Sequence, residues 1–175
     1  MRKLFFISAA VFLFGTGKCF CQPFDITRML DGWIGEWETT YEVTGGMKPG
    51  MAIEKITISG AENNLYLHIN LVGWMAGDSV KFTYVEDEFL TYDLTEKGLS
   101  GFYINSNGAE WSETLKGNWE EGSNKLIREG ESRYYKTKIT WEVKDGKLHR
   151  RIESTIKKDK KTSNFERIFT KSKVK

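Results

Sequence analysis

The chain has 175 residues, 39% of them hydrophobic and 29% charged, and a formal net charge of +2. It is the right size for one domain with a sizeable core, and it shows no repeat and no low-complexity stretch. Only two histidines occur, His68 and His149, which excludes a three-histidine metal site.

The N-terminus has the three parts of a secretory signal. Arg2 and Lys3 supply positive charge, Leu4 to Phe14 is an uncharged run of eleven residues, and Gly15 to Cys21 is built mainly of small residues. Eleven residues are too few to span a bilayer, which takes about 20 in a helix. Cleavage is expected after Cys21, with Gly17 as the alternative, giving a signal over 1–21 and one domain over 22–175. A lipid-anchored cysteine fits less well, because Lys18 and Phe20 are large residues before Cys19 and Cys21. The protein is therefore expected to be exported, to periplasm or medium, without a disulfide or a cysteine nucleophile.

Cleavage removes Arg2, Lys3 and Lys18, which turns the net charge from +2 to −1. Residues 22–143 carry a net of −9 and residues 144–175 a net of +8. A basic end can suggest nucleic acid or anionic lipid. The preferred reading is that basic strands lie beside acidic ones, so no nucleic-acid partner is expected.

In chain order, Asp25 to Asp31 reads as one helical turn, with Ile26, Met29 and Leu30 on one face and Gly32 as a stop. Strand signals follow to the end. Ile34 to Thr44 alternates, with Trp37, Thr39, Tyr41 and Val43 together. Met51 to Ser59 changes apolar parity between Ile53 and Ile56, which predicts a bulge. Leu65, Leu67, Ile69 and Leu71 alternate, and Gly73 to Asp78, with Trp74 and Met75, reads as a turn. Val80, Phe82 and Tyr84 form one strand face, and Phe89 to Leu94 a separate strand.

Leu99 to Asn105 and Ala109 to Leu115 predict a hairpin at Ser106-Asn107-Gly108. A second turn falls at Gly117-Asn118 and Glu121-Gly122, before Lys125 to Glu131. Lys136 to Val143 sets Thr137, Ile139, Trp141 and Val143 on one face. Asp145-Gly146 is a strong two-residue hairpin signal, followed by Lys147 to Ile156 and Ser163 to Lys171. About ten strands with short turns and no crossover helix predict an all-β, antiparallel up-and-down fold, closed as a barrel or stacked as a sandwich.

Gly35-Glu36-Trp37 at the first strand and Phe165-Glu166-Arg167-Ile168-Phe169 on the last resemble the calycin signature of lipocalins and fatty-acid-binding proteins. That resemblance implies a closed barrel in which a basic residue of the last strand, here Arg167, packs over Trp37 beside Gly35. The chain is also similar, over most of residues 22–175, to an uncharacterised bacterial family of lipocalin-like barrels. The matching pieces are Leu30…Gly35-x-Trp37, Leu90-Thr91-Tyr92-Asp93, Gly101-Phe102-Tyr103, Ser106-Asn107-Gly108 and Arg167-Ile168-Phe169-Thr170-Lys171. This second resemblance implies an architecture and no activity.

A barrel of this size is either filled by side chains or hollow around one ligand. Tyr41, Phe82, Tyr84, Phe102, Trp111, Trp141, Phe165 and Phe169 are expected on inward faces, where they fill the core or line a site. Arg150, between Leu148 and Ile152, needs a partner inside. That partner is a carboxylate such as Glu113, or the carboxylate of a ligand.

The expected function is a binding protein for a hydrophobic or amphipathic small molecule. Its ligand contacts are Arg150, Tyr41, Trp111, Trp141, Phe82 and Tyr84, without a metal or cofactor. The alternative is a cell-envelope interaction module with a filled barrel, motivated by Trp74, Met75 and the basic Lys157 to Lys161 loop. A barrel enzyme ranks last, since no carboxylate pair has a distinctive spacing. No transmembrane segment is expected, and oligomeric state is not legible.

Overall fold

The computed structural model describes residues 26, 32–44, 49–61, 64–78, 84–93, 95, 97–108 and 112–172. The expected signal peptide and nearly all of the expected helical turn lie outside these residues; of the turn, Ile26 alone is described.

Ten antiparallel strands form a closed barrel. They are β1 (Gly35–Val43), β2 (Gly50–Ala61), β3 (Tyr66–Met75), β4 (Tyr84–Asp93) and β5 (Gly98–Asn105). The second half is β6 (Glu113–Glu120), β7 (Lys125–Glu131), β8 (Tyr135–Lys144), β9 (Lys147–Ile156) and β10 (Thr162–Lys171). Each strand pairs with its sequence neighbours, and β1 closes on β10 through Trp37↔Lys171 and Glu38↔Thr170. Short connections allow only this up-and-down order. At the β8–β9 hairpin, Asp145 and Gly146 both take positive φ, 52° and 70°, the geometry that an Asp-Gly pair favours.

Three strands differ from the sequence expectation, and in β2 and β4 the reason is that acidic side chains point inward. β2 holds an unbroken register against both β1 and β3, so it has no bulge. Its inward face is Ala52, Glu54, Ile56 and Ile58; Ile53 lies on the opposite face, and Glu54 breaks the apolar pattern. β4 is one strand from Tyr84 to Asp93, with the buried Glu86 and Glu88 on the face of Leu90. β6 begins at Glu113, which is buried, and runs through Gly117 and Asn118 to Glu120. Trp74 and Met75 end β3 rather than forming a turn. Phe102 lies outside the barrel, 49% exposed, and stacks on Phe89 at 5.1 Å, which in turn stacks on His68 at 4.4 Å.

The interior has two halves. At the end where β1 starts, Ile26, Trp33, Trp37, Ile56, Ile58, Leu67, Leu90, Leu126 and Phe169 are buried in one cluster. Trp37 Nε1 donates to the Trp33 carbonyl at 2.8 Å. Trp33 Nε1 donates to Asn124 at 2.9 Å, and Trp33 packs edge-on against Trp119 at 5.5 Å. This half is a filled apolar plug. The other half, where β1 ends, is polar.

Two cations of the basic end meet acids of the preceding stretch: Lys157 reaches Glu131 at 2.5 Å and Arg150 reaches Glu86 at 2.5 Å. Arg151 and His149 meet Glu166 within the basic end, at 3.8 and 3.4 Å.

Candidate ligand site

Alternation along β4, β6, β7 and β9 brings five charged side chains to the barrel interior: Glu86, Glu88, Glu113, Arg128 and Arg150. They form two linked groups. Arg150 Nη2 donates to Glu86 Oε2 at 2.5 Å, and its guanidinium lies 5.0 Å over the Trp141 ring. Glu86 Oε1 accepts from the Tyr84 hydroxyl at 2.6 Å. Tyr84 also meets the Tyr103 hydroxyl at 3.1 Å, and Asn105 Nδ2 donates to that same oxygen at 3.1 Å. In the second group Arg128 bridges Glu88 at 2.8 Å and Glu113 at 3.1 Å, and Thr137 donates to Glu113 at 2.7 Å. Arg128 lies 5.3 Å over the Tyr103 ring, which joins the two groups.

Burial and charge set the protonation of this network. Desolvation pulls the Arg150 guanidinium downward, but Glu86, Glu54, Tyr103 and Glu88 outweigh it and leave it above its ordinary value. Burial, then the nearby Glu86 carboxylate, pushes the Tyr84 and Tyr103 hydroxyls far above the usual tyrosine range. Burial also raises the Glu88 carboxyl, more than Arg128 and Arg150 lower it.

Above this network a cavity of about 360 Å³ opens at the polar end. Its wall includes Tyr41, Ala52, Glu54, Met75, Tyr84, Glu86, Arg150 and Phe165. The Tyr41 hydroxyl donates to Glu54 Oε1 at 2.6 Å. Burial first, and then this Glu54 contact, raises the Tyr41 hydroxyl. Arg167 lies 3.6 Å over the Tyr41 ring and 5.1 Å from Phe165. Among the described residues, Glu54 Oε2, Arg150 Nε, Arg167 Nε and Trp141 Nε1 are buried without a hydrogen-bond partner.

Of the six ligand contacts expected from sequence, Tyr41, Tyr84 and Arg150 share this wall. Trp141 is 1% exposed and lies in the core beneath Arg150. Phe82 and Trp111 fall outside the described residues. Arg150 pairs with Glu86 rather than Glu113, which belongs to Arg128. At the plugged end Arg167 is not over Trp37. Lys171 takes that place, its ammonium 5.3 Å from the ring, because Lys171 is the register partner of Trp37. Gly35 has φ of +134°, and a Cβ there would press on Lys171 Cε at 3.2 Å, so this glycine clears the path of the lysine.

Sequence reading missed Glu54, Glu86, Glu88 and Arg128 as interior groups; it expected Glu113 inside, but against Arg150 rather than Arg128. The signal was parity: Glu86 and Glu88 share the face of Leu90, and Arg128 that of Leu126. Among the described residues no group of three or more His, Cys, Asp or Glu side chains is arranged to hold a metal ion, and no helix is long and apolar enough to cross a membrane.

A closed, ten-stranded antiparallel barrel with a plugged end, a basic side chain over the first-strand tryptophan and a cavity at the other end is a lipocalin-like architecture. Among solved structures, the chain resembles an S-type phycobiliprotein lyase from Guillardia theta, with a TM-score of 0.51 and 10% identity over 87% of this chain and 95% of that one. At that identity the likeness shows the fold. No protein-family model and no curated protein matches the chain, so the expected similarity to an uncharacterised bacterial family draws no support from them.

Proposed function

We propose that the protein is an exported carrier that binds one small amphipathic molecule in the cavity at the polar end of the barrel. The observation that carries this reading is the cavity itself. Its volume, about 360 Å³, exceeds the roughly 300 Å³ at which ligand pockets begin. Its wall mixes apolar surface from Ala52, Met75 and Phe165 with a few fixed polar groups, Tyr41, Glu54, Tyr84 and Arg150. Ligand pockets of this kind orient a guest with few, well-placed polar atoms. Export rests on the signal-like residues 1–21. That a phycobiliprotein lyase uses a barrel of this shape is compatible with a small-molecule site and names no ligand for this chain.

The filled-barrel alternative draws support from the plugged half, which is apolar and tightly packed. It accounts less well for the cavity, which Trp74 and Met75 border. An enzyme reading is weaker still. Glu86 has both oxygens engaged by Arg150 and Tyr84, and Glu113 is held by Arg128 and Thr137.

Denaturing extraction of the purified protein, followed by mass spectrometry, tests the proposal. A bound small molecule in the extract, or micromolar binding of an apolar fluorescent probe, is the expected result. An empty extract together with no probe binding overturns it.

A further inference from the structure

The turns at the two ends of the barrel differ in charge. At the polar end, where the cavity opens, residues 132–134 join β7 to β8 and residues 157–161 join β9 to β10. These two turns hold five cations, Arg133, Lys157, Lys158, Lys160 and Lys161, against one acid, Asp159. At the plugged end, residues 121–124 between β6 and β7 and residues 145–146 between β8 and β9 hold Glu121 and Asp145 and no cation. The alternating strand direction sets the two pairs of turns at opposite ends.

The basic turns form one fixed unit. The Lys157 N–H donates to the Tyr134 carbonyl at 2.8 Å, and Lys157 Nζ donates to the Ser132 carbonyl at 2.6 Å. Within the second turn the Lys160 N–H donates to the Ile156 carbonyl at 2.9 Å, and the Lys161 N–H to Asp159 Oδ1 at 3.2 Å. Glu131, at the end of β7, is taken by Lys157 at 2.5 Å and Lys136 at 3.7 Å. Arg133, Lys158, Lys160 and Lys161 are exposed, and among the described residues none of them forms an ion pair.

Large apolar side chains reach solvent at the same end. Tyr134, in the first basic turn, is 37% exposed, Phe165 of the cavity wall 41%, and Met51 at the start of β2 46%. Arg133 lies 5.4 Å over the Tyr134 ring. A polyanion in solution calls on the charge alone. A lipid surface uses both features, because interfacial attachment adds buried apolar area to attraction for anionic head groups, and tyrosine is favoured at head-group level. An amphipathic guest also enters and leaves at this end.

We propose that the polar end of the barrel docks on an anionic phospholipid surface, with turns 132–134 and 157–161 against the head groups and the cavity facing the bilayer. The proposal rests on the carrier reading for its purpose, exchange of the guest with the membrane, and its test uses no guest.

Flotation of the purified protein with vesicles tests it, comparing phosphatidylcholine alone with an equal mixture of phosphatidylcholine and phosphatidylglycerol. Binding to the mixed vesicles is expected to be at least about tenfold tighter, and to weaken with salt. Lys158→Glu with Lys160→Glu is expected to lower it at least about tenfold. Lys144→Glu with Lys147→Glu, the same change of charge on exposed residues at the plugged end, is expected to leave it within about twofold. Thermal melting checks that both variants are folded. An environment-sensitive dye reports orientation independently. In a chain with Cys19→Ser and Cys21→Ser, dye on Met51→Cys is expected to shift to the blue on mixed vesicles. Dye on Leu65→Cys, 38% exposed at the plugged end, is expected to stay unchanged.

Equal binding to both kinds of vesicle, or none to the mixed ones, would overturn the proposal. So would an equal loss from the two charge reversals, or a dye shift at Leu65→Cys as large as at Met51→Cys. A single-stranded oligonucleotide bound as tightly as the mixed vesicles would also overturn it, marking a general polyanion surface. Each of these outcomes leaves the carrier reading standing, because that reading falls only when extraction and apolar-probe binding both fail.

Discussion

Arg150 sits in the barrel interior at 3% exposure, and the Glu86 carboxylate keeps it charged there. Removing one member of a buried pair leaves the other uncompensated. Arg150→Met is therefore expected to cost about 3–5 kcal/mol, read by urea unfolding, and the double variant with Glu86→Gln to recover much of it. If the single variant is nearly neutral, the pair does not carry that charge. Glu88 predicts a pH dependence. Its carboxyl is raised by burial above the ordinary 4.5, so its native state holds the proton after the unfolded chain has lost it. Its contribution is full below 4.5 and is lost as pH rises through the native value. Glu88→Gln should thus gain stability relative to wild type as pH climbs from 4.5 toward neutrality. A difference that is constant with pH would contradict this. Arg150 was legible in the sequence as a charge between apolar neighbours. Its partner was not, because Glu86 lies 64 residues away, in the charged Val85 to Glu88 stretch between two runs read as separate strands.

At the scale of elements, β7 shows how a glycine builds the network. A Cβ on Gly130 would strike the Glu113 carboxylate and come within 2.9 Å of Thr137 Oγ1. Glu113 cannot swing away without leaving Arg128. Gly130→Ala is expected to destabilise by about 1–3 kcal/mol, measured by thermal or urea unfolding. A neutral result would mean that the carboxylate has room to move. Strands with apolar inward faces, such as β3, β8 and β9, were readable from alternation, and so was the Asp145-Gly146 turn. β2 and β4 were misread where an inward acid replaced the expected apolar residue, and β6 where Gly117 and Asn118 continue the strand instead of turning. Alternation detects hydrophobic faces, and it fails where one face is polar by design of the site. The Gly-x-Trp motif was also legible, but which cation covers Trp37 depends on register. The β1–β10 pairing sets Lys171, not Arg167, opposite it.

Across the whole molecule the barrel divides into a plug and a mouth. Trp33, Trp37 and Phe169 fill the end where β1 starts, and charged and phenolic side chains line the other. Such a division gives stability to one end and leaves the other free to be hollow. Closure and strand number were legible from the turn spacing and the two terminal motifs; the hollow was not, because its size depends on how ten inward faces meet. The central claim is that this hollow holds the ligand. Ala52 lies in its wall, 6% exposed, on β2. Ala52→Phe should plug the cavity without touching the ion pairs. Fluorescence titration of the wild type and of this variant with an apolar probe is the direct measurement. Micromolar binding by the wild type and a loss of at least about tenfold in the folded variant is the predicted result. Equal binding by both proteins, or none by either, would contradict the account.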